Sequence, residues 1–181
     1  KIKNSSWNKF KVKCNGFNLK NTEKLLNLNR NIALDANASF TKEDCLFIQE
    51  TSGFQKLMYI EQPLEIGNFG ILKNGNSVNW MADEDCQDIT FLEKLKPYYS
   101  SINIKLMKCG GLTPALEMIT EAKKLGYKIM LGCMTESSIG ISAGCAIAGL
   151  LDFADLDGAN LISNDYATGS FVDNGKIILS E

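Results

Sequence analysis

The feature that most constrains this chain is a rhythm. Short apolar runs alternate with longer amphipathic stretches along its whole length, at residues 10–14, 32–35, 57–60, 80–82, 102–107, 128–133 and 153–156. Each run is brief and rich in β-branched or aromatic residues, the pattern of strands buried on both faces of a parallel sheet. The intervening segments carry helix signals. Residues 41–50 open with Thr41, Glu43 and Asp44, an N-cap followed by an acidic first turn. Residues 113–125 begin Thr-Pro and stop before Gly126, following the rule of proline at a helix start and glycine past its end. Residues 138–151 are small and apolar, predicting a helix held close to a sheet, whereas the glycine-rich stretch 68–78 predicts little or no helix. Strands alternating with helices give a parallel α/β fold, and both an open doubly wound sheet and a closed barrel satisfy the pattern. In a barrel of eight, seven strands leave one unaccounted for. Lys1-Ile2-Lys3 reads as the end of a preceding helix and the first residue is not Met, so a first strand and helix are expected upstream.

Composition narrows the function. The 181 residues are 45% hydrophobic and 22% charged with a formal net charge of -2, which suits one globular domain and gives no basic patch for nucleic acid or an anionic membrane. No apolar run reaches the length of about 18 residues that a membrane helix needs, and the first residues lack the apolar centre of a signal peptide. The 6 cysteines include no C-x-x-C pair, and with no histidine to share a zinc site they read as free thiols of a reducing cytoplasm. The absence of histidine also removes Ser-His-Asp triads, Cys-His dyads and imidazole bases from this chain. Its proton chemistry must come from Lys, Asp, Glu, Tyr or Cys.

In a parallel barrel the reactive residues lie at the C-terminal ends of the strands. Asp35, Glu61 and Asp83 end three consecutive apolar runs, one βα unit apart each time. Neighbouring strands are about 4.8 Å apart, so three such carboxylates can converge. Together they repel unless a cation lies between them, and a hard divalent ion with oxygen ligands, Mg²⁺ or Mn²⁺, fits that need. Any one of these acids alone is most simply a helix cap; three in register are harder to read that way.

Lys11 and Lys13 stand two apart on one strand and share a face. Two ammonium groups buried side by side would lower the pKa of at least one, which turns a lysine into a base near neutral pH. Lys105 ends a strand about opposite in the ring, which would set one lysine on each side of a substrate; the solvated fate common to lysines fits Lys108 better. Asp155 and Asp157 flank Leu156 at the end of the last run and would attract a cationic group such as an ammonium, although Asp157-Gly158 is also a favoured turn.

These residues together resemble the enolase superfamily in its muconate-lactonising subgroup. The matching motifs are Lys11-Val12-Lys13, Asp35-Ala36-Asn37, Glu61-Gln62-Pro63, Ala82-Asp83-Glu84 and Asn103-Ile104-Lys105 followed by Gly110-Gly111, in family order over nearly the whole chain. Within the subgroup the chain looks most like the dipeptide epimerases of the L-Ala-D/L-Glu type. That likeness is carried by the run from Lys105 to Gly111, by Met134-Thr135-Glu136-Ser137-Ser138, and by Asp155-Leu156-Asp157-Gly158. The resemblance implies a (β/α)8-type TIM barrel of which residues 1–158 supply strands 2 to 8, with the N-terminal capping domain and first strand missing. Residues 159–181 would pack back toward that capping domain.

The resemblance also implies Mg²⁺ held by Asp35, Glu61 and Asp83, with Mn²⁺ as the alternative. Lys13 and Lys105 would be the catalytic bases of a two-base 1,1-proton transfer through a metal-stabilised enediolate. Lys11 would keep Lys13 partly neutral, Glu136 would line the pocket or orient Lys105, and Asp155 and Asp157 would bind the α-ammonium of a dipeptide. The expected protein is a cytoplasmic isomerase acting on a small dipeptide, with no nucleic-acid or membrane partner, and open to homo-oligomer formation. Two other readings stand beside it: an o-succinylbenzoate synthase or cycloisomerase of the same superfamily, whose substrates offer no ammonium to Asp155 and Asp157, and a non-catalytic barrel fragment.

Overall fold

In a computed structural model of the chain, the described residues are 2–75, 78–173 and 176–180. Lys1 of the expected helix end, residues 76–77 of the irregular stretch, and residues 174–175 and 181 of the C-terminal segment lie outside them. In chain order the elements are β1 (Lys9–Lys13), α1 (Leu19–Leu26), β2 (Asn31–Asp35), α2 (Lys42–Glu50), β3 (Ile60–Glu61), β4 (Trp80–Ala82), α3 (Leu92–Leu95), β5 (Ser101–Lys105), α4 (Leu106–Cys109), α5 (Leu112–Lys124), β6 (Lys128–Gly132), α6 (Ser138–Ala146), β7 (Phe153–Ala154), β8 (Phe171–Asp173) and β9 (Lys176–Ile178). All seven expected strands are present as β1 to β7. The chain divides into two compact units, Lys1–Asp85 with Lys94–Ser101, and Cys86–Glu93 with Ile102–Glu181.

In the first unit β1, β2, β3 and β4 are successive parallel neighbours. The register aligns Lys13 with Asp35, Asp35 with Glu61, and Glu61 with Met81. β3 counts only two residues, fewer than the run 57–60 predicts, and the chain bends at 57–58 after a 3-10 turn at 54–56. Pairing with β2 nevertheless starts earlier, since Met58 N–H donates to Ile32 O and Leu34 N–H to Tyr59 O. Ile32, Leu34, Ile60, Trp80 and Met81 are almost wholly buried. α1 is a short helix, as the brief interval between Lys13 and Asp35 requires, and its start is closed by Asn18, whose side chain accepts from Asn21 N–H. α2 begins as expected: Thr41 accepts from Asp44 N–H, and the Asp44 carboxylate accepts from Thr41 N–H, a complete capping box. The stretch 68–78 holds only a 3-10 turn at Phe69–Ile71.

In the second unit β5, β6 and β7 are sheet neighbours in order. The run 102–107 ends as a strand at Lys105, because the next four residues wind into α4, closed by Gly110 in the left-handed region at φ 98°. α5 buries Ala115, Met118, Ile119 and Ala122, spaced as one face of a helix. α6 stops at Ala146, short of the predicted 151, and a 3-10 turn at Ala148–Leu150 follows. It lies close over its neighbours: a Cβ on Gly144 would meet Leu131 at 3.1 Å and Leu156 at 3.2 Å. Residues 165–170 run along α6, where Asp165 accepts from Ser138 N–H, Ser138 Oγ donates to Ala167 O, and Ser170 N–H donates to Ser142 Oγ. A small antiparallel pair, β8 with β9, follows. The six cysteines are free, and among the described residues no helix is long and apolar enough to cross a membrane.

The capping box gives a direct check on the α2 assignment. Thr41→Ala is expected to cost about 1 kcal/mol of stability, measured by urea denaturation.

Candidate active site

The first unit gathers four of the sequence-selected residues at the C-terminal ends of its strands. Asp35 ends β2 at 2% exposure and Glu61 ends β3 at 1%. They are aligned neighbours, and Lys11, reaching along β1, serves both: its Nζ lies 3.1 Å from Glu61 Oε2 and 3.5 Å from Asp35 Oδ2. Lys13 Nζ sits 3.1 Å from the same Asp35 oxygen and donates to Asn37 Oδ1 at 3.1 Å. Each ammonium thus meets a carboxylate. The two lysines differ in access, since the Lys11 side chain is 20% exposed and that of Lys13 is 71% exposed. Lys11 is the inner counter-ion and Lys13 the lysine an incoming molecule can reach.

Asp83 follows β4 two residues beyond the aligned row and is also buried. Its backbone N–H donates to Gln62 Oε1 at 3.1 Å. The backbone around these acids departs from ordinary strand geometry. Asn37, Ala38 and Gln62 all have positive φ, at 41°, 62° and 34°. Non-glycine residues rarely adopt this region, and such outliers cluster at functional sites. Here they bend the chain away just after Asp35 and Glu61. Asn37 contributes in two ways, because its N–H also donates to Asp35 Oδ1.

The second unit holds the other four. Lys105 is the last residue of β5 and half-buried. Lys108, expected to be a solvated lysine, is instead half-buried, with Nζ donating to Cys86 O at 3.1 Å and Asn103 O at 3.0 Å. The correction has a simple cause: the Lys108 side chain on α4 reaches back to backbone carbonyls. Glu136, Asp155 and Asp157 lie in loops past β6 and β7. Glu136 Oε1 accepts from Met134 N–H, and its other oxygen lies where a Cβ on Gly140 would sit, so that glycine keeps the first turn of α6 open to it. Asp155 is half-buried and tied by its N–H to Leu131 O, while Asp157 is exposed.

Sequence reasoning passed over the residue these three acids share. Cys133 has a thiol pushed up to about 11, first by burial and then by the charges of Asp155, Asp157 and Glu136. It therefore stays neutral among them. Gly158 is needed by the same packing, since a Cβ there would meet Met134 O and lie 3.0 Å from Cys133 Sγ. Also unselected were Asp85 and Tyr99, which with Gln62 form a buried network beside Asp83. Tyr99 OH donates to Asp85 at 2.7 Å, and burial followed by the Asp85 charge pushes the phenol upward, so it remains a donor. The signal for Asp85 was present in its place directly after Ala82-Asp83-Glu84.

Comparison with known proteins bears on this arrangement. The model of the family described as enolase C-terminal domain-like matches residues 4–179. The chain belongs to this family. It is 40% identical over 149 residues to an L-Ala-D/L-amino acid epimerase of a Maribacter species, covering 80% of this chain and 44% of that protein. It is 39% identical over 154 residues to an L-Ala-D/L-Glu epimerase of Bacteroides thetaiotaomicron, covering 83% of this chain and 40% of that protein. Among solved structures, the dipeptide epimerase of Methylococcus capsulatus, in complex with Mg and the dipeptide L-Arg-D-Lys, superposes with a TM-score of 0.83. It is 30% identical and covers 97% of this chain and 54% of that one. The chain spans less than half the length of these curated relatives. The choice between open sheet and barrel is thereby made: the strand and helix succession is that of the enolase family's C-terminal barrel domain.

A magnesium ion is implied by this family, and the donor set can be tested against it. Among the described residues, no three His, Cys, Asp or Glu side chains stand together as a metal cage. Two of the expected ligands, Asp35 and Glu61, have oxygens engaged with lysine ammonium groups. In chemistry the set fits, being three buried carboxylates at successive strand ends and hard oxygen donors throughout.

Lys11 stands beside both buried carboxylates, so its loss removes a positive neighbour from each. Lys11→Met should cost about 3 kcal/mol in chelator-containing buffer, whereas Lys13→Met, which removes a lysine whose side chain is 71% exposed, should cost less than about 1 kcal/mol. Urea denaturation of the two variants checks the difference.

Proposed function

We propose that the full-length protein of this chain is a Mg²⁺-dependent dipeptide epimerase that inverts one α-carbon by a two-base proton transfer. The observation that carries the reading is the row of buried carboxylates at consecutive strand ends with lysines aimed at them, Lys11 and Lys13 on Asp35 and Glu61. The relatives support the substrate class, since those named above are an L-Ala-D/L-amino acid epimerase, an L-Ala-D/L-Glu epimerase and a dipeptide epimerase.

Asp35, Glu61 and Asp83 would hold the ion, with Mn²⁺ as an alternative. When bound, it would supply Lewis-acid polarisation of the substrate carboxylate, which acidifies the adjacent C–H. For Asp35 and Glu61 to turn toward it, the lysine contacts they make must loosen, and Lys13 is the more exposed of the two. Lys13 Nζ, as a neutral amine, would accept the α-proton. Lys105 Nζ, as an ammonium, would donate a proton to the opposite face of the same carbon. Lys13 ends protonated and Lys105 neutral, so the reverse reaction starts from the complementary state and either epimer can be converted. Lys11 would hold positive charge at the same Asp35 oxygen that Lys13 meets. Asp155 and Asp157 would accept hydrogen bonds from the α-ammonium, and Glu136 would line that end of the substrate.

The test is proton NMR of the full-length, Mg²⁺-loaded protein in D₂O with a panel of L,L-dipeptides. Deuterium should enter one α-position as the L,D isomer forms, and Lys13→Ala and Lys105→Ala should each lower conversion by at least about 100-fold. A folded, metal-loaded protein that exchanges no α-proton in any dipeptide would overturn the reading in favour of an elimination or a non-catalytic barrel.

A further inference from the structure

The turn after β3 has a conformation that its own backbone does not favour. Gln62 directly follows Glu61, is fully buried, and sits at φ 34° in the left-handed region. A side chain other than glycine persists there only where the surroundings over-determine it. The surroundings do so through the Gln62 amide. Its Oε1 accepts from Asp83 N–H and Asp85 N–H, both at 3.1 Å. Its Nε2 donates to Leu64 O and to Asp85 Oδ2, both at 2.8 Å. Two donors and two lone pairs are the whole capacity of an amide, and all are used.

Asp85, at 3% exposure, extends the network. Its Oδ1 accepts from Gly67 N–H at 2.8 Å, and its Oδ2 accepts from Gln62 and from Tyr99 OH at 2.7 Å. The Gln62 carbonyl also accepts from Ala38 N–H at 2.8 Å, and the Glu61 carbonyl from Ala36 N–H at 3.0 Å, which ties in the loop that leaves Asp35. Gln62 is therefore covalently joined to one of the acids proposed for the metal and hydrogen-bonded to the backbone of another. The three strand ends that carry Asp35, Glu61 and Asp83 are linked through this one residue.

We propose that Gln62, Asp85 and Tyr99 are positioning residues that fix the spacing of Glu61 and Asp83 for a divalent cation. The inference rests on the metal-site reading above and adds to it the part of the fold that sets the geometry. Partners behind metal ligands commonly change metal affinity by about 10–100-fold when removed.

The experiment measures Mn²⁺ binding by electron paramagnetic resonance of the free ion, on full-length protein, alongside the melting temperature in chelator. Two variants are used, Gln62→Met and Tyr99→Phe. Neither changes the charge, so altered affinity cannot come from lost attraction. Tyr98→Phe, a neighbouring hydroxyl outside the network, is the control. The expected result is a Kd raised at least about tenfold in Gln62→Met and severalfold in Tyr99→Phe, with the control unchanged. Should Gln62→Met not fold, Tyr99→Phe decides alone, because it keeps the ring and removes one hydroxyl. A Kd equal to that of the unsubstituted protein, with only the chelator melting temperature lowered, would mean that the network is structural and would overturn the inference. If the unsubstituted protein binds no Mn²⁺, the metal-site reading itself falls, and the inference with it.

Discussion

Buried carboxylates need a positive partner or several hydrogen bonds, because their desolvation is not repaid otherwise. At the ends of β2 and β3 that partner is Lys11, whose ammonium stands between Glu61 and Asp35. The rest of the first unit's upper edge follows from this contact. The parallel register brings Lys13, Asp35 and Glu61 into one row, and the two-residue period of a strand puts Lys11 on the same side as Lys13. The positive φ values at Asn37, Ala38 and Gln62 turn the chain out of the way once the acids are set. In the proposed enzyme a divalent cation would take over the carboxylates and leave a lysine free for proton transfer.

The second unit contains several close approaches of backbone and side chains. Glycines mark the places. A Cβ on Gly132 would lie 2.5 Å from Asn103 Oδ1, one on Gly140 would strike Glu136, and one on Gly158 would strike Met134 O. The loops that carry Glu136, Asp155 and Asp157 are thereby drawn in around Cys133. The first turn of α6 is tied from a distance, by Asp165, whose carboxylate is held below the usual range chiefly by the Ser138 N–H it accepts.

Much of this was legible in the sequence, for identifiable reasons. Hydrophobic runs recorded all seven strands because most of them are built on buried apolar residues such as Ile32, Leu34, Ile60, Trp80, Ile102, Ile104, Ile129 and Leu131. The acids at 35, 61 and 83 could be singled out because each directly follows such a run. Thr41 and Asp44 carry a cap that is local by nature. The misses are equally physical. β3 and β7 count only two residues each, fewer than the runs that mark them. Lys108 looked like a solvated lysine because nothing local reveals that α4 points it at the carbonyls of Cys86 and Asn103. Gln62 stood inside a recognised motif, yet its role depends on reaching Asp83 and Asp85 on the next strand, a relation set by register. The thiol of Cys133 needed the loops past β6 and β7 to be placed before its surroundings could be read.

The measurement that bears most directly on the central claim is anomalous diffraction from crystals of the full-length protein grown with Mn²⁺. The account predicts one peak within coordination distance of carboxylate oxygens from Asp35, Glu61 and Asp83, with Lys11 no longer bridging Asp35 and Glu61. A well-ordered structure with no peak there and the Lys11 bridge intact would contradict it.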